Sequence, residues 1–518
     1  MNKKGFWSRA SVVMISLSLV IGSLSTGFVA AQGTGPVMLD SHLGVRPVTS
    51  GLNTPTTMAF LSPNEFIVLE KGTGKVQYVL NGAVDHTALD LAVNNFSERG
   101  LLGIALDPQF ASNHFVYLYW SCIASVPVDP FTPSLTACAD TPELGADSGA
   151  ALAVPLLGNR VDRFLWDGNT LTFDRNLIKL RAFQNDGGPV PPGQGDETQP
   201  PRGNHNGGVI TFGLDGKLYV FIGDNGRRGQ LQNLPCGPVA TCSGTTVPDD
   251  QFGGPQPDNA HLTGVILRLN SDGSAPSDNP FFSAGAAMGG EVGANLQKIF
   301  SYGHRNSFGL AVDPASGGIW LQENGDDSFS ELNRVEPGMN GGWIQIAGPA
   351  ERIAQFREIE TTFGTPPALQ QLRWPPTNIA TTPQEALSRL FMLPGAKFIE
   401  PAFSWKWEVA PGGMNFVNSG ALGPQFQNDL FMGAATPLLD GGYLFHFNLT
   451  GNRRKIAVDD PRLNDRVADN LAKHEITESE SLLIGRDFGI VTDIETGPNG
   501  NLFVVSLSNG AVYEIFRR

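Results

Sequence analysis

Short apolar runs separated by turn residues recur along the whole chain. In the clearest example, Val209 to Phe212 is apolar and β-branched, Asp215-Gly216 is a hairpin turn signal, and Leu218 to Ile222 is a second apolar run. This pattern predicts two antiparallel strands joined by a tight turn. His205 precedes the first strand and Asp224 follows the second, so we expect the two side chains to meet at one edge of the sheet.

Five further stretches repeat this pattern of paired strands. They run from Met58 to Val79, from Gly103 to Tyr119, from Gly309 to Leu321, from Met414 to Phe447 and from Ile494 to Ile515. Six such units in series are typical of a β-propeller, a fold that leaves only short sheet edges exposed. We therefore predict an all-β, six-bladed β-propeller from about Gly51 to the C-terminus, with Val512 to Phe516 closing the ring. The functional surface should lie where the loops preceding the innermost strands gather around the axis.

Long insertions separate several of these units, at 121–157, 183–201, 231–260 and 347–399. The last insertion contains the clearest helix signal. Thr382 is a suitable N-cap, Pro383 suits the first helical position, and Glu385 completes a capping box. We interpret this insertion as a helical excursion over the propeller rather than as a second domain, so residues 32–518 are predicted to form the propeller.

Residues 1–31 have the pattern of a secretory signal peptide. Three cations at Lys3, Lys4 and Arg9 precede an apolar stretch from Ser11 to Val29, and small residues follow. An uncleaved signal anchor is the alternative. No later stretch offers the roughly 20 continuous apolar residues that span a bilayer. A secreted, periplasmic or cell-surface location is therefore predicted.

The overall charge of the chain narrows the range of partners. The 518 residues include 35 Lys and Arg against 50 Asp and Glu, which gives a formal net charge of −15. An acidic surface repels nucleic acid and anionic lipid, so neither is an expected partner.

The loops of the predicted propeller carry several candidate chemical groups. A carboxylate at Asp224 that accepts a hydrogen bond from one nitrogen of His205 would leave the other nitrogen free to act as a base. The acidic, glycine-rich turn from Glu323 to Asp327 suits calcium, and Arg305 suits an anionic ligand. The alternatives are a turn histidine with a strand-capping aspartate, a solvated acidic turn, and an arginine that closes a salt bridge between blades.

Four loop stretches, taken in order, resemble the glucose/sorbosone dehydrogenase family, whose soluble members use pyrroloquinoline quinone with calcium on a six-bladed propeller. The stretches are Glu98 to Gly103, His205 to Leu231, Tyr302 to Leu310, and Gln322 to Trp343. The resemblance covers about Leu52 to Arg518 and is strongest from His205 to Trp343.

The resemblance implies a role for each matching residue. His205 would be the general base and Asp224 its carboxylate partner, while the Gly207-Gly208 pair would leave room for a flat cofactor. The remaining implied positions are the cofactor contacts Glu98, Arg305 and Asn306; the calcium turn of Gly325 and Asp326, with Asp327 able to add an oxygen; and the substrate contacts Gln230, Leu231 and Trp407.

Some positions depart from the family pattern. Glu98 stands where the best-known members have glutamine, and Asp326 stands where they have proline. The lysine expected in the fifth blade is missing around 434–440, and residues such as Ile490 and Thr492 replace two expected arginines. Because the quinone carries three carboxylates, other cations are needed to hold it. Lys406 and Arg486 are the candidates.

The sequence thus favours an exported quinoprotein that oxidises an aldose sugar or related alcohol and passes electrons to an external acceptor. In this hypothesis His205 takes the hydroxyl proton while hydride passes from the substrate carbon to the quinone. Two alternatives stay open. One is a propeller without a cofactor that serves as a binding module. The other is a calcium-dependent hydrolase of the lactonase type that uses the acidic turn.

The four cysteines form two close pairs in the sequence, Cys122 with Cys138 and Cys236 with Cys242. In an exported protein such pairs predict two local disulfides. Thiol titration of the unfolded, unreduced protein should then find no free thiol, whereas the reduced protein should yield all four. Free thiols in the unreduced sample would contradict the pairing or the exported location.

Overall fold

Six sheets follow one another around a ring in the computed structural model. The structure describes residues 35–95, 97–122, 158–182, 204–226, 233, 262–363, 376–436 and 441–518. Each sheet begins with an innermost strand and continues outward through antiparallel neighbours, and two of the sheets add short parallel strands at their outer edge.

The first two sheets are simple antiparallel meanders. Strands β1 (Val37–Met38) and β2 (Leu43–Ser50) come before them and join later sheets. The first sheet contains β3 (Pro55–Ser62), β4 (Glu65–Glu70), β5 (Lys75–Leu80) and β6 (Ala83–Asp90). The second contains β7 (Leu101–Leu106), β8 (Phe115–Ser121), β9 (Gly158–Trp166) and β10 (Leu171–Arg181), with the short helix α1 (Phe110–Asn113) between β7 and β8.

The third and fourth sheets are linked by the helical insertion. The third contains β11 (Ile210–Phe212), β12 (Leu218–Ile222), β13 (Val265–Leu269) and β14 (Ile299–Tyr302), with helices α2 (Phe282–Met288) and α3 (Gly290–Leu296) before β14. The fourth begins with β15 (Leu310–Val312), β16 (Ile319–Glu323) and β17 (Ser328–Val335). Strands β18 (Met339–Asn340) and β19 (Lys397–Phe398) then extend the third sheet, and β20 (Phe403–Trp407) returns to the fourth.

The last two sheets contain both ends of the described chain. The fifth contains β21 (Pro411–Phe416), β22 (Leu430–Ala434) and β23 (Tyr443–Phe447), after which β24 (Val467–Ala468) joins the edge of the fourth sheet. Strand β25 (Leu483–Arg486) returns to the fifth sheet, and β1 covers its edge. The sixth contains β26 (Val491–Thr496), β27 (Leu502–Ser506), β28 (Ala511–Arg517) and, outermost, β2.

The innermost strands close into a continuous ring. Strands β3, β7, β11, β15, β21 and β26 contact one another in that order, and β26 contacts β3. The prediction of a six-bladed, all-β propeller is confirmed. The ring is not closed as predicted by the strand from Val512 to Phe516. That strand is part of β28, which is the third strand of its sheet. The outer strand is β2, which pairs with β28 from Leu43 opposite Arg517 to Ser50 opposite Ala511 and precedes the predicted start at Gly51.

The described residues of the insertion between β18 and β19 contain two α-helices, of which the sequence predicted only the second. In α5 (Pro383–Ser388) the Thr382 hydroxyl accepts from the Glu385 backbone N–H at 3.2 Å, which confirms the N-cap. The Glu385 carboxylate reaches back to Thr381 N at 2.9 Å rather than to the cap residue itself. The longer helix α4 (Ile353–Phe363) packs against β17 and brings Glu360 to the site described below.

Several predictions fall on residues outside the described ranges. These are the signal peptide, the cysteines Cys138, Cys236 and Cys242, and the substrate candidates Gln230 and Leu231. Cys122 is buried and disulfide-bonded, but the two pairings stay predictions. In the described part of the chain, no helix has the length and apolar character needed to cross a membrane.

Two carboxyl groups on β26 tie the last blade to its neighbours. Asp493 accepts hydrogen bonds from Thr57 Oγ1 at 2.7 Å and from Met58 N at 2.9 Å, both on β3. Glu495 accepts from Asn415 Nδ2 on β21 at 3.3 Å. Burial raises the pKa of Asp493 to about 6. Burial, with the adjacent Asp493, also raises the pKa of Glu495 well above its ordinary value. The ring junction therefore favours protonated carboxyl groups.

This shift gives the stability of the protein a defined pH dependence. The folded state holds these protons more tightly than the unfolded state, so unfolding releases protons and stability falls as pH rises above about 4. The variant Glu495→Gln keeps an acceptor but cannot ionise. Its melting temperature should fall less than that of the wild type between about pH 5 and pH 8.

The control for this experiment is Glu358→Gln on the exposed face of α4, which should follow the wild-type curve. Differential scanning calorimetry at each pH measures all three proteins. Parallel curves for Glu495→Gln and the wild type would contradict the assignment.

Candidate functional site

Loops that lead into three neighbouring innermost strands meet at one end of the ring. Glu98 precedes β7, His205 precedes β11, and Arg305 and Asn306 precede β15. The side chains of Glu98 and Asn306 are hydrogen-bonded to each other, and Glu98 also binds the His205 backbone. The sequence-based expectation that these loops gather near the axis is therefore met for these four residues.

The hairpin of β11 and β12 places His205 beside Asp224. The strands pair with Ile210 opposite Val220, and the pairing continues beyond them through a bond from Gly208 N to Phe221 O at 3.1 Å. His205 Nδ1 then lies 2.6 Å from Asp224 Oδ1, and both side chains are buried. Because a carboxylate can only accept, Nδ1 is the donor and Nε2 keeps its lone pair. This arrangement holds the imidazole in the tautomer that suits a base.

Further hydrogen bonds hold the His205–Asp224 pair in place. Asp224 accepts from Trp343 Nε1 at 3.0 Å through Oδ2 and from Gly226 N at 2.8 Å through Oδ1. The backbone N–H of His205 donates to Glu98 Oε2 at 2.6 Å. His205 also has a positive φ of 55°, which is uncommon for a residue with a side chain. The surrounding bonds therefore fix a local conformation that the histidine alone would disfavour.

The two glycines after His205 have a packing role. A Cβ on Gly207 would lie 2.6 Å from the Phe221 ring, and a Cβ on Gly208 would lie 2.5 Å from Leu102 Cβ. Both glycines also have positive φ values. These contacts explain the two glycines by the close approach of the loop to its own blade and to the preceding one, and room for a flat cofactor stays a prediction.

Arg305 is anchored to the acidic turn predicted to hold calcium. Its Nη1 donates to Asn324 O at 2.9 Å and its Nη2 to Asp326 Oδ1 at 3.0 Å. The guanidinium carbon lies 5.5 Å from the centroid of the Trp343 ring, within the range of a cation–π contact. Burial alone would lower the pKa of Arg305, but the nearby carboxylates, Asp326 first, outweigh it and raise the pKa.

One buried carboxyl group, that of Glu360, supports the same turn. Glu360 Oε1 accepts from the backbone N–H groups of Asp327 and Ser328, each at 3.1 Å, and from Ser328 Oγ at 2.7 Å. Burial, with Asp326 and Asp327 nearby, raises the pKa of Glu360 to about 8. Near neutral pH this group is therefore largely protonated, which limits the negative charge gathered around the turn.

Lys473 reaches the same turn from the fifth blade and was missed by the sequence analysis. It lies between β24 and β25, and its ammonium donates to Asp326 O at 2.7 Å and to Asp327 Oδ1 at 3.0 Å. Burial lowers its pKa, but Glu408 and Asp327 more than offset this and raise it. The sequence lacks the lysine that the family resemblance places around 434–440. This absence was the one sign that another residue would provide the cation.

The two proposed replacement cations do not join this cluster. Arg486 lies on β25, an outer strand of the fifth blade, where its side chain is 60% exposed and nearest to Asp487 at 3.7 Å. Lys406 lies on β20 and faces Asp469 at 3.9 Å. The ion pairs of these two side chains are thus with Asp469 and Asp487 rather than with the acidic turn, and their role as replacement cations stays a prediction.

The other predicted positions are partly accounted for. Trp407 ends β20, where it pairs with Ser328 next to the acidic turn. Thr492, at a position where the family has an arginine, donates its hydroxyl to Pro55 O at 3.2 Å. Gln230 and Leu231 lie outside the described residues.

The acidic turn does not fit a calcium ion. Calcium takes six to eight oxygen ligands, and it would have to share them here with two cations. Asp326 O and Asp327 Oδ1 already accept from Lys473, while Asn324 O and Asp326 Oδ1 accept from Arg305. Over the ranges that the structure describes, no group of three or more His, Cys, Asp or Glu side chains is arranged to hold a metal ion.

The donor set does fit a planar anionic group. Two cations, Arg305 and Lys473, flank Asp326, and the Trp343 ring packs against Arg305. Cations recognise carboxylates, and an aromatic ring offers a flat apolar wall. His205 is linked to this group of residues because it contacts Asp224, which accepts a hydrogen bond from Trp343. Arg305, Lys473 and Trp343 are therefore the residues that would hold a quinone bearing carboxylates.

Comparison with known proteins agrees with the resemblance predicted from the sequence. The sequence model of the family described as "Glucose / Sorbosone dehydrogenase" matches residues 52–128 and 195–362. Aldose sugar dehydrogenase YliI of Escherichia coli is 25% identical over 479 residues, which cover 91% of this chain and 93% of that protein. Quinoprotein glucose dehydrogenase B of Acinetobacter calcoaceticus is 27% identical over 305 residues, 58% of this chain and 52% of that protein.

Solved structures show the same fold. The apo form of the soluble aldose sugar dehydrogenase of Escherichia coli matches with a TM-score of 0.54 and 22% identity, covering 92% of this chain and 100% of that one. The PQQ-bound form of the aldose sugar dehydrogenase of Streptomyces coelicolor matches with a TM-score of 0.51 and 21% identity, covering 92% and 98%. The resemblance to the glucose/sorbosone dehydrogenase family is confirmed by the match of the family model to residues 52–128 and 195–362.

The position of Glu98 leads to a stability prediction. One of its oxygens accepts from both His205 N and Asn306 Nδ2. Glu98→Ala leaves two donors without that acceptor and should lower the free energy of unfolding by about 3 kcal/mol. Glu98→Gln keeps an acceptor oxygen and should lower it by about 1 kcal/mol or less. Urea denaturation measures both variants, and equal losses would show that the shared oxygen is not the source of the stabilisation.

Proposed function

We propose that this protein oxidises an aldose sugar or a related alcohol, with His205 as the general base and Asp224 as the group that orients it. The observation that carries the proposal is the buried contact of 2.6 Å between His205 Nδ1 and Asp224 Oδ1 at the rim of the ring. The family resemblance supplies the reaction type. The hydrogen bonds to Asp224 from Trp343 and Gly226 keep its carboxylate directed at the histidine.

In this proposal His205 Nε2 takes the proton of the substrate hydroxyl. The hydrogen bond from Nδ1 to Asp224 stabilises the positive charge that the ring then acquires. Pyrroloquinoline quinone, when bound, would accept the hydride from the substrate carbon and pass the electrons to an external acceptor. Arg305 and Lys473 would bind its carboxylates, and Glu98 would fix the loop that presents His205. Gln230, Leu231 and Trp407 are proposed to contact the sugar.

Calcium is not carried into this mechanism, although the family resemblance implies it. The oxygens expected to bind the ion accept hydrogen bonds from Lys473 and Arg305 instead. The same observation weakens the alternative of a calcium-dependent hydrolase. Residues 32–518 are proposed to form the propeller, and residues 1–31 a signal peptide that exports it or anchors it at the cell surface.

A propeller that binds a ligand without a quinone is the second candidate function. It is favoured by Thr492, which stands at an expected arginine position and is instead bonded to Pro55 O. The two candidates differ in redox activity. Purified protein incubated with pyrroloquinoline quinone should reduce an artificial dye when one of a panel of aldoses is added, whereas a binding module should not.

The role of His205 can be tested by substitution. His205→Gln should lower turnover by about a hundredfold or more, because a positioned base contributes that much to a proton transfer. Asp224→Asn should lower it less, since the imidazole stays but is held less firmly. The melting temperature and quinone binding, followed by cofactor absorbance, should change little in both variants.

The matched control is His446→Gln, which breaks a similar His–Asp contact of 2.9 Å, to Asp429, in the fifth blade. This control should keep full turnover. If His205→Gln behaved like the control on cofactor-loaded protein, the histidine would be a structural residue and the binding module would become the better proposal.

A further inference from the structure

The acidic turn between β16 and β17 is hydrogen-bonded to a lysine side chain. The ammonium of Lys473 binds the main-chain oxygen of Asp326 at 2.7 Å and the side-chain oxygen of Asp327 at 3.0 Å. Asp326 O belongs to the turn whose backbone oxygens the family resemblance assigns to calcium. A lysine therefore donates to the oxygen at which a metal ligand was expected.

The segment that carries Lys473 is fixed to this turn by its backbone. Glu408 N donates to Asp327 O at 3.2 Å, and His474 N donates to Glu408 O at 2.8 Å. These two bonds lead stepwise from the turn to the residue after Lys473. Backbone hydrogen bonds therefore hold the segment around Lys473 against the turn. Only about a third of the lysine side chain is exposed.

Charge and geometry both oppose a second cation at the same place. An ammonium and a calcium ion that share one carbonyl oxygen repel each other at close range in a partly desolvated site. On the other side of Asp326, Arg305 occupies Oδ1 at 3.0 Å. The two cations thus engage both the main-chain and the side-chain oxygen of one residue.

We propose that Lys473 replaces calcium in this protein, so that the Gly325–Asp327 turn is held by an ammonium and binds no metal. An ammonium has three donors, and the turn uses two of them. The carboxylate of Glu408 also lies 3.9 Å from the ammonium and adds to the negative charge that holds it there. Lys473, in the loop that links β24 of the fourth sheet to β25 of the fifth, would thereby supply a cation in place of the one missing around 434–440.

The proposal can be tested on apoprotein, without quinone or substrate, so that its failure is distinct from a failure of the proposed function. Thermal melting is recorded in EDTA and in about 1 mM calcium, a concentration that saturates most extracellular calcium sites. Isothermal titration with calcium gives the affinity. The proteins are the wild type, Lys473→Ala, Lys473→Arg and, as a control, Lys455→Ala at an exposed lysine whose side chain lies in the loop after β23.

The wild type, Lys473→Arg and Lys455→Ala should melt at the same temperature in EDTA and in calcium and show no binding heat. Lys473→Ala removes the ammonium and leaves space beside two oxygens. It should melt at least about 2 °C lower in EDTA and recover most of that loss in calcium. A calcium response of the wild type overturns the proposal. So does a Lys473→Ala variant that calcium does not stabilise, including one that fails to fold in either condition.

Discussion

The closed ring of innermost strands is the constraint on which the rest of the structure depends. Each blade packs its apolar faces against its neighbours, so no blade can bury its core unless the ring is complete. The hydrogen bonds from β3 to Asp493 and from β21 to Glu495 lie at this junction. Burial at the junction raises the pKa of both carboxyl groups, so the stability of this part of the ring depends on pH.

The ring also determines where chemistry can be assembled. Glu98, His205 and Arg305 come from three different blades and are separated by about a hundred residues each, yet all precede an innermost strand. A ring brings such positions together at one rim, whatever their separation along the chain. The contacts of Asp224 with Trp343 and of Arg305 with Asp326 then connect the base to the acidic turn through adjoining side chains.

Local features of the site were predictable from the sequence, and long-range ones were not. The meeting of His205 and Asp224 follows from the register of one hairpin, and six repeated strand pairs indicate the propeller. The contact of Lys473 with Asp326 joins residues 147 positions apart from different blades, and no local pattern marks it. Arg486 lies on an outer strand of the fifth blade, and the sequence could not show this because it does not state the order of strands in a sheet. The sequence analysis also missed helix α4. This helix packs against β17 and is not part of the repeated strand pattern from which the blades were predicted.

The pairing of β2 with β28 has a consequence for the order of folding. Arg46 and Glu514, on these two strands, are 468 residues apart in the chain and lie within hydrogen-bond distance. A contact of such long range forms late, because most of the loop between its partners must be ordered first. The sixth blade therefore completes only after its last strand, β28, has left the ribosome. Until then β2 and the open face of the first blade expose sheet edges and apolar surface, so a nascent chain of this protein depends on protection from aggregation over nearly its whole length.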